Sequence, residues 1–453
     1  MPEKSTRSNA RLIVAVGLSA GLIPLNSTSI AIALPMIGAH FNADNSLLSQ
    51  WVLASYLLAS VLFLGPAGKM GDIWGLFRLL RLGRILFLVG ALIGALAPNV
   101  ALLVLSRIIM GLGSAFLMPS AIAIVRNAVG AEQRASALGA LAGGLAIAAA
   151  LGPPVGGLLV HQFGWQSVFW LNPPLLLLSA LLSRGFHLPL VESGGQRREF
   201  DFTGSFLLIS LLACFVVGIR LPGLKGQLLL ATCLLLTAAF IRWELRLKEP
   251  VVDVRLFRNR VFSCAILIIA AQNFGMYGVL FQMPYMLVEL YDMAPSKIGL
   301  MMLVTTAGMA VFSPLGGRLT RYFSKQRITL VGSCCALAGL LGLANQSSWN
   351  ALLSLIPWLA LVGGGLGLNT APVQATVLGS VAEKDAGMAS GALSIFRYLG
   401  SIVGVALLGL LLAQTGIDSI ERFQSGFYLY ATGYLACVLL ALGMKLPAAR
   451  RPC

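Results

Sequence analysis

Residues 100–126 read VALLVLSRIIMGLGSAFLMPSAIAIVR, with one charged side chain, Arg107, between the opening valine and the closing arginine. Wound as an α-helix at 1.5 Å per residue, the stretch is about 40 Å long, enough to cross a hydrocarbon core of roughly 30 Å. Within lipid a single segment satisfies its backbone only as a helix, so this stretch predicts a membrane-spanning helix. The whole chain has the same character. Of its 453 residues 58% are hydrophobic and only 11% charged, and the mean hydropathy is +0.87, whereas soluble chains carry about a quarter charged residues. The net charge of +16 does not point to nucleic acid, because the basic residues stand between apolar runs and form no polar face.

Working outward, apolar runs predict helices at roughly 11–36, 47–67, 79–97, 100–126, 136–160 and 166–186, then at about 203–220 and 226–243, then at about 262–287, 297–317, 327–345, 350–379, 388–412 and 424–446. The pattern is six, two, six. The expected fold is therefore an all-α membrane protein of two six-helix bundles plus two extra central transmembrane helices, 14 in total. Its parts are an N-terminal bundle over 1–190, a linker with two additional helices over 191–260, and a C-terminal bundle over 261–453. The first run follows MPEKSTRSNAR with no small-residue cleavage site after it, so a retained helix is expected and not a cleaved signal.

Lysine and arginine favour cytoplasmic loops. An even number of helices with the N-terminus inside leaves only Arg220, Lys225, Lys297 and Arg422 in outer loops. The alternate loops take Arg78, Arg81, Arg84, Arg134, Arg197, Arg198, Arg246, Lys248, Arg255, Arg258, Arg260, Arg321, Lys325, Arg327 and Lys384, with Arg450 and Arg451 in the tail. Both termini are thus expected in the cytoplasm of a bacterial cell with the chain in the plasma (inner) membrane. The six-helix groups also repeat at a shift of about 250 residues. Gly68-Lys69-Met70 corresponds to Gly317-Arg318-Leu319, Gly111 and Gly113 to Gly363 and Gly365, and Ala137, Gly139 and Leu141 to Ala389, Gly391 and Leu393.

Seven cysteines lie in apolar runs or at the C-terminus, and His40, His161 and His187 stand apart. No metal site, disulfide framework or cofactor is expected. Neither a GxxxxGK[ST] loop nor a convergent nucleophile and acid/base set occurs, so an enzyme and ATP as energy source are both disfavoured.

The motifs run the length of the chain: LNSTSIAIALP (25–35), GKMGDIWGLFR (68–78), SRIIMGLGSAFLMP (106–119), LGPPVGG (151–157), WQSVFWLNPPL (165–175), ELRLKEPVVDVRLF (244–257) and GMASGALSIFRYLGSIVGVALLG (387–409). On these residues the chain resembles the major facilitator superfamily, and within it the fourteen-helix drug/proton antiporter family. The resemblance implies a secondary transporter exporting drug-like molecules or metabolites across the cell membrane by alternating access, a multidrug type of efflux by proton-coupled antiport. A facilitator or symporter importing a small metabolite is the alternative on the same fold. Expected partners are a small-molecule substrate, a proton and the lipid bilayer, with no nucleic acid, and a monomer is expected.

Gating residues are expected in two motifs. In the first, Gly68 and Gly75 permit close helix approach, and Asp72 caps a helix or pairs with Arg78 or Arg81. The resemblance gives this segment a latch function, with Ile73 and Leu76 standing where the family has basic residues. In the second, Pro153 and Pro154 remove backbone donors while Gly152, Gly156 and Gly157 allow tight packing; the resemblance associates this motif with antiporters. Substrate and coupling residues are expected in a central cavity. Arg107 and Arg397 fall inside helices, where a charge costs about 2.5–3.5 kcal/mol unless it faces a cavity or partner. Asn26, Gln272, Asn273 and Asn369 are mid-helix amides that need partners away from lipid, and Tyr277 extends the lining. Asn26 stands where the family has an aspartate, and no acid falls at mid-membrane. Neutral, zwitterionic or anionic cargo is therefore expected over lipophilic cations.

Overall fold

The computed structural model describes residues 2–129, 133–186, 201–221, 223–247, 250, 253–346, 352–382, 386–414 and 416–444. The side chains of Gly68 and Asp72, and the loop charges Arg134, Arg197, Arg198, Arg220, Lys248, Lys384, Arg450 and Arg451, lie outside what is described. Among the described residues there are fourteen long helical segments and no strand. They are α1 (Pro2–Phe41), α2 (45–74, with a π-helical turn at Ser49–Ala54), α3 (Leu76–Ala95), α4 (Val100–Ala128), α5 (Arg134–Phe163), α6 (167–182), α7 (Phe202–Arg220) and α8 (Leu224–Glu244). After a short 3-10 turn at Val254–Arg258 come α9 (Arg260–Tyr291), α10 (Pro295–Leu319), α11 (Lys325–Ala344), α12 (Ile356–Gly379), α13 (Ala386–Leu412) and α14 (Ser419–Gly443).

The helices begin and end where side chains or glycine take over orphaned backbone groups. Asn99 Oδ1 accepts from Leu102 N at 2.9 Å at the start of α4, Asp201 Oδ1 from Gly204 N at 2.7 Å at the start of α7, and Asn259 Oδ1 from Val261 N at 3.0 Å at the start of α9. Between α2 and α3 the chain turns on Gly75 at φ 91° and ψ 138°, a conformation that a Cβ strongly disfavours.

The packing repeats as the motifs do. In the first half α1 lies on α5 and α6, α2 on α4, and α3 on α4; in the second α9 lies on α13 and α14, α10 on α12, and α11 on α12. Each second-half pair is its first-half counterpart moved eight helices along. Glycines make the same approaches in both halves. A Cβ at Gly113 would crowd Gly83 O of α3, and one at Gly365 would crowd Gly332 O of α11. A Cβ at Gly111 would crowd Tyr56 O of α2, and one at Gly363 would crowd Thr305 O of α10. Small residues at these crossings bring backbones together in lipid, where burial of apolar surface supplies no drive for helix association. Two seams join the halves, α5 along α10 and α2 along α13, and the eightfold shift exchanges one with the other.

The inserted pair stays outside this centre. α8 leans on α7, which touches α2 and α13, and only 11% of the apolar window of α8 is buried. Such a helix presents its side chains to acyl chains.

Arg84 departs from expectation. Counted above among loop cations, it lies inside α3 and is 9% exposed. Its Nε, Nη1 and Nη2 donate at 2.8 Å to Ser19, Ser183 and Ser179 Oγ respectively. Ser179 Oγ hands its own proton to Ala15 O at 2.5 Å. Three hydroxyls from α1 and α6 thus replace the water a buried guanidinium loses.

Candidate functional site

The LGPPVGG segment of α5 shows why two prolines stand among glycines. Pro153 and Pro154 have no N–H, which leaves the carbonyls of Ala149 and Ala150, four residues earlier, without their helical partners. Both are satisfied from other helices. Thr28 Oγ1 of α1 lies 3.2 Å from Ala149 O, and Thr306 Oγ1 of α10 lies 3.2 Å from Ala150 O. Each hydroxyl shares its proton with carbonyls of its own helix, Pro24 O at 3.0 Å and Met302 O at 3.2 Å. The glycines divide in the same way. Gly152 and Gly156 face Thr28 and Ser29 of α1, while Gly157 faces the backbone of Pro295 and Gly299 on α10. Gly299 in turn leaves no room for a Cβ against Pro153 O. One face of the motif therefore holds α5 within its own half, and the next face closes the seam to the other half.

Toward the N-terminal end of α5 the seam is open. A Cβ at Gly139, Gly143 or Gly144 would meet no heavy atom within 4 Å, and the same holds at Gly391 of α13, the repeat counterpart of Gly139. Alternation of fourteen helices puts this open end on the side where α1 starts and α14 ends.

Between the two ends lies a narrow cleft lined by Ser27, Leu53, Tyr56, Leu57, Arg107, Tyr277 and Phe281. Arg107 is 1% exposed. Its Nη1 donates to Asn26 Oδ1 at 2.5 Å and its Nε to Val52 O at 3.3 Å, while its guanidinium carbon stands 4.3 Å from the centroid of the Tyr56 ring. The π-helical turn that precedes Tyr56 in α2 supplies the Val52 carbonyl. The Tyr56 hydroxyl is buried without a hydrogen bond of normal geometry, next to Ser27 and Ser114. From the other half, Tyr277 of α9 stands within electrostatic reach of both Arg107 and Arg397, with Ser401 beside it. Arg397 of α13 faces Tyr398 and Tyr277.

The expected cavity residues are thus divided by the structure. Asn26, Arg107, Tyr277 and Arg397 come together. Gln272 is drawn instead to α12, its Nε2 donating to Leu366 O at 3.2 Å. Asn273 Nδ2 donates to Ile269 O of its own helix at 2.8 Å. Asn369 lies between α12 and α11, where its amide nitrogen donates to Thr329 O at 2.9 Å and its oxygen accepts from Ser333 Oγ at 3.0 Å. Of the first gating motif, Gly75 makes the α2–α3 turn and Arg78 is exposed beside it. Thr28, Thr306, Tyr56 and Phe281 were not singled out in the sequence. The two threonines had a signal: each is a donor positioned to serve a carbonyl freed by a proline, but only the fold shows which carbonyl.

Two repeat-related helical bundles thus meet along a seam that is closed at one end and open at the other, with a cleft between to which both contribute. The chain belongs to the Major Facilitator Superfamily, whose sequence model matches residues 16–405 and again residues 265–452. Over 90% of its length it is 34% identical to a Mycobacterium tuberculosis protein named Multidrug resistance protein Stp, of which it spans 76%. Over 89% of its length it is 30% identical to the Tetracenomycin C resistance and export protein of Streptomyces glaucescens, of which it spans 75%. Among solved structures it resembles the xylose transporter XylE from E. coli, in a partially occluded inward open conformation, with a TM-score of 0.68 at 15% identity, covering 97% of this chain and 100% of that one. That last likeness is one of fold. The chain is a multi-pass membrane transporter.

Proposed function

We propose that the protein exports small molecules across a bacterial inner membrane by alternating access, in exchange for protons, as a monomer of the fourteen-helix drug/proton antiporter type. The observation that carries this reading is the pairing of a sealed seam at Gly157 and Gly299 with a cleft to which both halves contribute. Relatives named for resistance and export support the outward direction, and the motif resemblance supports proton exchange. The bundles over 1–190 and 261–453 are the moving bodies, with the 191–260 pair carried at the periphery. Both termini and the open end face the cytoplasm in this reading. Arg78, Arg81, Arg255, Arg258, Arg260, Arg318, Arg321, Lys325 and Arg327 gather at that end, as the positive-inside rule requires.

A screen of labelled compounds in inside-out vesicles, with and without an imposed pH gradient, tests all of this at once. Cargo should accumulate inside the vesicles, and accumulation should collapse when the gradient is dissipated. Equal accumulation without any gradient would remove proton coupling, and uptake only into right-side-out vesicles would reverse the direction. A facilitator draws on one observation, that among the described residues no carboxylate lies deep in the spanning segments, and it predicts equilibration without accumulation in the same assay.

A further inference from the structure

We infer that the central cleft selects planar aromatic anions, carboxylates or phenolates attached to a ring system, and rejects aromatic cations of the same shape. The inference deepens the transport reading, resting on the cleft being the substrate site.

Charge carries it first. Every acidic residue among the described ones lies between helices or within the first or last turn of a helix. Deep in the spanning segments stand Arg84, Arg107 and Arg397. Arg84 is accounted for by three serine hydroxyls on the far side of the first bundle. Arg107 has neutral partners only among the described residues: an amide oxygen, a backbone carbonyl, the Met110 sulfur and the face of Tyr56. Among the described residues its Nη2 donates no hydrogen bond, and no described carboxylate pairs with Arg397. Tyr277 thus stands within electrostatic reach of one guanidinium from each half, and neither has a described carboxylate as partner. Taking a guanidinium out of water without a counter-ion is costly, and a bound anion lowers that cost by supplying the missing partner. A planar carboxylate suits the guanidinium fork.

Shape carries it second. The cleft walls are rings and short aliphatic side chains: Tyr56, Tyr277 and Phe281 with Leu53 and Leu57. Tyr277 and Phe281 lie tilted at 46° with centroids 5.8 Å apart, one helical turn apart on α9. Such walls favour a flat ring. The Tyr56 hydroxyl, buried and without a normal hydrogen bond, is a donor available to an oxygen of the ligand. Asn26 fixes the sign of the site. With a carboxylate at that position Arg107 would be neutralised, and the cleft would lose its excess of positive charge.

The test uses three probes with one ring system, 1-naphthoate, 1-naphthalenemethanol and 1-naphthylmethylammonium, bound to the purified full chain in lipid nanodiscs. Binding is read by calorimetry or tryptophan quenching, so it depends on neither the direction nor the coupling of transport, and a wrong coupling ion would leave it untouched. The wild-type protein should bind naphthoate at least tenfold more tightly than the ammonium compound. Arg107→Gln and Arg397→Gln should each weaken naphthoate at least tenfold while changing the alcohol less than twofold, which also certifies folding. Asn26→Asp should weaken naphthoate and strengthen the ammonium compound. Equal or tighter binding of the cation by the wild-type protein overturns the proposal. So does naphthoate binding that survives both glutamine substitutions in variants that still bind the alcohol.

Discussion

Along a single helix, α5, the seam between the halves changes from backbone against backbone to open space. Near Pro153 and Gly157 it lies so close to α10 that a methyl group would collide with carbonyl oxygen. Some four turns earlier, at Gly139, Gly143 and Gly144, the same helix has no neighbour within 4 Å of where a Cβ would stand. Both stretches are rich in glycine and alanine, and only one uses that smallness in this conformation. Glycine that meets nothing here is accounted for if the halves rock about the cleft and the open end becomes the tight one. The two ends of α5 thus record two states in one sequence, one seen and one held in reserve.

The contrast can be broken at either end, and those changes should have the largest effects. Gly157→Leu places a side chain into the backbone of Pro295 and Gly299, so the sealed end should fail to close. Transport in vesicles should fall at least 20-fold, and cysteines placed at that end of a cysteine-free variant should react with an impermeant maleimide. Gly143→Leu should cost transport a similar factor for the opposite reason, leaving the seal intact and the other end permanently reactive. If Gly143→Leu transports normally, the reserve role of that glycine is wrong. Next in size, Thr306→Val removes the cross-half donor to Ala150 O. One shared hydrogen bond is worth about 1 kcal/mol, so the ratio of sealed to open forms should fall roughly fivefold, seen as faster maleimide labelling at the sealed end. Smaller still is the sharpening experiment. Pro154→Ala returns an N–H to Ala150 O, and in that background Thr306→Val should lose at least half of its effect. Full additivity of the two substitutions would show that the freed carbonyl is not what the threonine serves.

The number of helices and their approximate ends could be obtained from the sequence because lipid leaves so few alternatives: a run of some twenty apolar residues must be helical, whatever its neighbours. The internal repeat was legible from three matched glycine patterns, and the structure extends it to Gly83 with Gly332 and Gly90 with Gly339, all placed against a neighbouring helix. Rotation about each helix axis was not legible. Gln272 and Asn369 are polar and mid-helix like Asn26, yet they satisfy themselves against α12 and α11, because a buried amide takes any partner in reach and not only a ligand. Arg84 was misplaced for a related reason. A run of three arginines on α3 looks like a loop until Ser19, Ser179 and Ser183, distant in sequence, are seen to gather around the third.

The absence of deep carboxylates among the described residues has an electrical consequence. An aromatic anion leaving a cell whose interior is negative moves down the voltage, and a proton entering moves down it as well. A cycle that couples the two would transfer two elementary charges, and at about 2.3 kcal/mol per charge per 100 mV the membrane potential would contribute on the order of 4.6 kcal/mol. With Asn26 at the position where a titrating acid would stand, the protein would behave as a current-carrying pump, driven harder by a potassium diffusion potential than by acid outside.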